Sequence, residues 1–87
     1  MTTRQTAARF AAKMDARLTD EELESFSQDK VPMAELMCTL DQQVSRLRMT
    51  VAKGGKDEHI ADHLADVAIT CLQAFCNIEP GARGDSR

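Results

Sequence analysis

The chain has no tryptophan, no tyrosine and only three phenylalanines, Phe10, Phe26 and Phe75, in 87 residues. Large aromatic contributions to a core are nearly missing, so Leu, Met, Val, Ala and Cys must do the packing. A chain this short buries only about 60–65 per cent of the surface it exposes when unfolded. A thin core follows, and sharing it with further copies of the chain is the natural remedy. No apolar run approaches the roughly 20 residues needed to cross a bilayer, and nothing at the N-terminus resembles a signal peptide, so the expected setting is soluble and cytoplasmic with no membrane partner. Three cysteines, Cys38, Cys71 and Cys76, cannot all pair within one chain and read as reduced packing residues. With 11 basic and 14 acidic side chains intermixed, the formal charge of −3 provides no basic field, which excludes nonspecific nucleic-acid binding. A Walker-type phosphate loop, a nucleophile elbow and a Cys-x-x-Cys pair are all lacking, which argues against P-loop chemistry and covalent catalysis.

What the chain does have is helical period. Ala7, Phe10, Ala11, Met14 and Leu18 mark a first helix over Thr3–Leu18, with Arg4, Arg9, Lys13 and Arg17 forming a basic stripe read as a solvated side. Thr19 and Glu22 make a Thr-x-x-Glu capping box that restarts the chain as a short acidic helix over Asp20–Ser27. Pro32 then offers a preset first-turn residue, and Met33, Leu36, Met37, Leu40, Val44, Leu47 and Val51 hold a spacing of three and four, which suits antiparallel packing. Gly54 and Gly55 end that helix, and Asp57 is placed to cap the next. The last helix, Asp57–Ile78, carries Ile60, Leu64, Val67, Cys71, Phe75 and Ile78 on one side. His59, Asp62, His63, Asp66, Thr70 and Gln73 fall on the other. The predicted fold is all-α: an antiparallel helical hairpin with an N-terminal helix, a small helical bundle completed by oligomerisation as a dimer or tetramer. A single helical domain is expected over 1–78, followed by a flexible tail over 79–87 whose composition has nothing to bury.

Chemistry, if any, belongs on the polar side of the last helix. His59, Asp62, His63 and Asp66 stand at i, i+3, i+4 and i+7, a spacing that stacks imidazoles and carboxylates as candidate ligands for a divalent metal. One helix seldom presents a full ligand set to a single ion without help from a neighbour, and a solvated side is the plainer reading.

The order of motifs also resembles a known family. Phe10-Ala11-Ala12-Lys13-Met14-Asp15-Ala16-Arg17-Leu18, then Glu35-Leu36-Met37 leading into Leu40-Asp41-Gln42-Gln43-Val44-Ser45-Arg46-Leu47, then His63-Leu64-Ala65-Asp66-Val67-Ala68, is similar to the small phage-type MazG-like all-α nucleoside triphosphate pyrophosphohydrolases over roughly residues 7–78. The resemblance implies hydrolysis of nucleoside triphosphates to monophosphate and pyrophosphate with Mg²⁺ held by a Glu-Glu-x-x-Glu group and a Glu-x-x-Asp group. Laid on this chain, those groups fall at Gln42, Gln43 and Arg46, and at His63 and Asp66, so Asp66 alone keeps its carboxylate. Neutral amides and a fixed cation remove the negative field that would hold Mg²⁺. The expected function is therefore a non-catalytic, MazG-like binding or scaffold protein, without a cofactor, that self-associates and presents a surface to another protein. Arg46 is expected to pair with Asp62 or Asp66 and close the old site. The alternatives are a Mg²⁺-dependent pyrophosphohydrolase with altered ligands and a metal-free nucleotide-sequestering protein. In the latter, Gln42, Gln43, Arg46, His63 and Asp66 would bind the nucleotide through hydrogen bonds to its phosphates.

Overall fold

A computed structural model of the chain describes residues 1–78. The predicted tail, residues 79–87, lies outside the described residues. Four helices follow in order: α1 (Thr3–Ala16), α2 (Asp20–Gln28), α3 (Met33–Ala52) and α4 (Asp57–Ile78). No strand occurs among the described residues.

Local chemistry sets the ends of these helices. Thr2 and Gln5 form a reciprocal capping box at the start of α1, a device outside the predicted limits of the first helix. Thr19 and Glu22 form the second box, where Thr19 Oγ1 accepts from the Glu22 amide at 3.1 Å and the Glu22 carboxylate accepts from the Thr19 amide at 3.0 Å. Asp20, Glu21 and Glu22 then sit in the first turn of α2, where the helix dipole favours negative charge. Pro32 occupies the position before α3 rather than its first turn, in an extended conformation. α3 ends in a Schellman arrangement, with the Gly55 amide donating to the Thr50 carbonyl at 2.8 Å and the Gly54 amide to the Val51 carbonyl at 3.1 Å. Gly54 takes φ 72°, a left-handed conformation that a side chain resists. Gly55 has no space for one, because a Cβ there would stand 2.5 Å from Thr50 Cγ2. Asp57 is the first residue of α4 rather than its cap; the carbonyl of Lys56 accepts the His59 and Ile60 amides instead.

α4 is the hub. α1, α2 and α3 each pack on it, and no two of them pack on one another. α3 and α4 lie side by side across a link of only four residues, Lys53–Lys56. Their seam holds Leu36, 3% exposed, with Leu40, Val44 and Leu47 half-buried. Among the described residues one side-chain hydrogen bond crosses it and another ties α4 to the connector before α3. The Thr70 hydroxyl donates to the Gln43 side-chain carbonyl at 2.7 Å, and the Asn77 side-chain amide donates to the Val31 carbonyl at 2.7 Å. Such polar groups reward burial only when paired, and here pairing fixes the register of one helix on the other.

The side of α4 turned inward differs from a simple hydrophobic-inside reading. Ala65 is fully buried and Thr70 nearly so, and between them around the helix run Asp66, Ile69, Gln73 and Asn77, all half-buried. Much of the oily side looks outward, with Leu64 43%, Phe75 55% and Ile78 60% exposed and Cys71 exposed beside them, while Ile60 and Val67 on the same side are half-buried. Among the described residues the buried apolar side chains are Phe26, Leu36 and Ala65. Short side chains and paired polar groups let α1 and α3 come close to α4 on its polar side, and the described residues include no fifth helix.

Urea denaturation should rank the seam in the order of burial. Leu36→Ala is expected to cost about 2–5 kcal/mol and Leu40→Ala less, because Leu40 already meets solvent. Thr70→Val, which keeps shape and removes the donor, should cost about 1 kcal/mol; no loss in that variant would mean that the Gln43 contact does not hold the two helices in register.

Candidate functional site

The polar residues singled out on α4 share one side of the helix, and α1 docks against two of them. Lys13 Nζ lies 3.0 Å from Asp62 Oδ1. Arg17 reaches further along α4, its Nη2 donating to Asp66 Oδ1 at 2.5 Å and its Nη1 donating to the Asp62 backbone carbonyl at 2.8 Å. Arg17 Nη1 also stands 3.9 Å from Asp62 Oδ1. Lys13 on α1 and Arg17, the residue that caps its C-terminus, stand four residues apart and face two carboxylates four residues apart on α4, the spacing that aligns side chains on one face of a helix. These pairs are half exposed, so each stabilises only modestly. Their value is positional, since α1 has no fully buried residue to anchor it.

The basic stripe that reads as solvated in the sequence is therefore the element that occupies Asp62 and Asp66. Arg46, the expected partner of those carboxylates, is exposed and makes no ion pair among the described residues. Arg46 and Val44 lie on opposite flanks of Leu36, each roughly 80° around the helix at about 100° per residue, and Val44 is half-buried whereas Arg46 is on the exposed, outward flank. Gln42 shares that outward side and is exposed, whereas Gln43 is half-buried and engaged by Thr70. His59 is exposed and His63 half-buried. The five residues of the nucleotide reading do not all face one place: Gln42 and Arg46 are on the exposed part of α3, Gln43 is in the α3–α4 seam, Asp66 is paired with Arg17, and His63 is half-buried one turn before Asp66 on α4. A signal for the true partner was present in the sequence, in the matched spacing of Lys13 and Arg17 against Asp62 and Asp66.

The donor set does not fit a divalent ion. Among the described residues no three His, Cys, Asp or Glu side chains converge on a common point. Asp62 and Asp66 already face cations, and a metal would have to displace both Lys13 and Arg17 to reach them. No enclosed pocket forms among the described residues. No helix there is long and apolar enough to cross a membrane. No protein-family model matches the chain, and neither a curated protein nor a solved structure does.

The Asp62 carboxyl is held below its ordinary 3.8, first by the Lys13 hydrogen bond and charge and then, against a small desolvation that opposes it, by Arg17 and His59. A carboxyl depressed in this way adds stability above its unfolded value, and the contribution is lost as the pH falls through the folded one. The Lys13–Asp62 contact thus contributes fully above pH 3.8 and is lost progressively below it as the Asp62 carboxyl takes up its proton. A side-chain NMR titration should place Asp62 below 3.8 in the native chain and return it toward that value in Lys13→Met. An identical titration in both proteins would separate the shift from Lys13.

Proposed function

We propose that this chain is a non-catalytic helical binding module that acts by associating with further copies of itself, an antiparallel α3–α4 hairpin with N-terminal helices that forms a complete bundle only in the oligomer. The observation that carries this reading is the outward apolar side of α4, with Leu64, Phe75 and Ile78 each roughly half exposed or more on the best-connected helix of the molecule. A contiguous apolar surface beside a thin core is the usual mark of an interaction site. The resemblance to the MazG-like enzymes is consistent with a frame of this kind whose reaction has been lost. At the positions where that family carries carboxylates stand Gln42, Gln43, Arg46 and His63, and Asp66 is spent on Arg17. The module would require no metal and would meet protein partners through surfaces left open in the oligomer. It would reside in the cytoplasm.

Three measurements on the same preparation test this. Sedimentation should give a mass above one chain that rises with concentration. Thermal unfolding should be indifferent to Mg²⁺, Mn²⁺ and nucleotides, because a ligand raises the melting temperature only by binding the folded state. Incubation with a panel of nucleoside triphosphates should release no pyrophosphate. Pyrophosphate released with Mg²⁺ would establish the hydrolase instead, and stabilisation by nucleotide alone would establish sequestration.

A further inference from the structure

The outward residues of α4 have an internal symmetry that names their occupant. Exposed Leu64, half-buried Val67 and exposed Cys71, Phe75 and Ile78 are spaced three, four, four and three apart, so the series reads the same in both directions about Cys71. Two copies of α4 laid antiparallel with Cys71 facing Cys71 would set Leu64 against Ile78 and Val67 against Phe75, and each pairing would occur twice. That is the requirement for an isologous contact, in which residue i meets j and j meets i. We infer that a second copy of this chain covers α4 through an antiparallel α4–α4 crossing centred on Cys71. The inference rests on the self-associating reading above and adds to it which helix meets which, and in what register.

Size and charge agree with this crossing. The residue at its centre is small, which lets two helices approach closely, while the bulky Leu64, Phe75 and Ile78 lie toward the ends where crossing helices diverge. The twelve residues from Val67 to Ile78 contain no Asp, Glu, Lys, Arg or His. No like charges would therefore be brought together, and the centre is as depleted of charge as interface centres commonly are. From Leu64 to Ile78 the contact would run about 21 Å at 1.5 Å per residue. Covering these half-exposed side chains in both copies removes on the order of 1,000 Å² from water, at the low end for a specific interface and suited to a reversible dimer. An interaxial distance of about 8–10 Å less two helix radii of about 2.3 Å leaves the facing Cys71 Cα atoms roughly 3.5–5.5 Å apart, which overlaps the disulfide range.

The test uses the full chain and two readouts. Mild oxidation of a variant retaining only Cys71 (Cys38→Ser, Cys76→Ser) should yield a covalent dimer, and a variant retaining only Cys38 should not. Independently, Leu64→Lys and Ile78→Glu should each weaken the dimer at least about 30-fold, the scale of losing one buried anchor, with helicity by circular dichroism unchanged because both side chains are solvent-exposed in the single chain. The double variant should recover at least about ten-fold of that loss, since the lysine of each copy then faces the glutamate of the other across the crossing. A chain that stays monomeric at high-micromolar concentration would overturn both this inference and the self-association it rests on, and would leave the apolar side to a different protein. A dimer that fails to cross-link through Cys71, or in which the double variant is weaker than either single one, would overturn the crossing alone and leave self-association standing.

Discussion

Only one side of α4 can be covered by the helices this chain possesses, and the side they cover is the one that can be approached closely. Ala65 offers almost no bulk, and Thr70 and Asn77 are short and paired with Gln43 and the Val31 carbonyl. Close approach with satisfied hydrogen bonds gains dispersion contacts along the whole seam, each small and together large. Of the larger apolar residues of α4, Ile60, Val67, Ile69 and Leu72 are half-buried and Leu64, Phe75 and Ile78 are left exposed. An amphipathic helix whose oily side is exposed in the isolated chain is in an unfavourable condition, since each apolar side chain kept in water forgoes about 1.5–3 kcal/mol relative to full burial.

The same constraint accounts for the fate of the candidate metal ligands. Asp62 and Asp66 lie on the packed side, so an element brought against α4 there must answer their charge. α1 does so with Lys13 and Arg17, and because α1 buries no residue fully, those contacts set where it sits. Carboxylates used in this way are poor candidates for catalysis, which needs them clustered, free of counter-cations and open to substrate. Asp62 and Asp66 are thus tied into the packing of α1 on α4, and the last three turns of α4 carry no charged side chain.

Much of the fold was legible because it is local. The Thr19–Glu22 box, the Gly54–Gly55 stop and the limits of the last helix at Asp57 and Ile78 follow from interactions within a few residues, and the structure places them where the spacing does. Small differences, such as Pro32 preceding α3 and Lys56 rather than Asp57 standing before α4, involve single positions at helix ends, where several residues can serve. The candidate site was less legible. The matched spacing of Lys13 and Arg17 with Asp62 and Asp66 was visible in the sequence, but Arg46 was an equally charged competitor, and choosing between them requires knowing which helix lies over α4 at that level.

The sequence by itself determined that the chain is helical, where its helices start and stop, and that α4 has one apolar and one polar side, because periodicity and capping act over one or two turns. The tertiary structure alone decided which of those two sides turned inward. Period reports that two sides of a helix differ; it carries no information on how many neighbours there are to cover them, and in this chain the neighbours took the side with small and hydrogen-bonding residues.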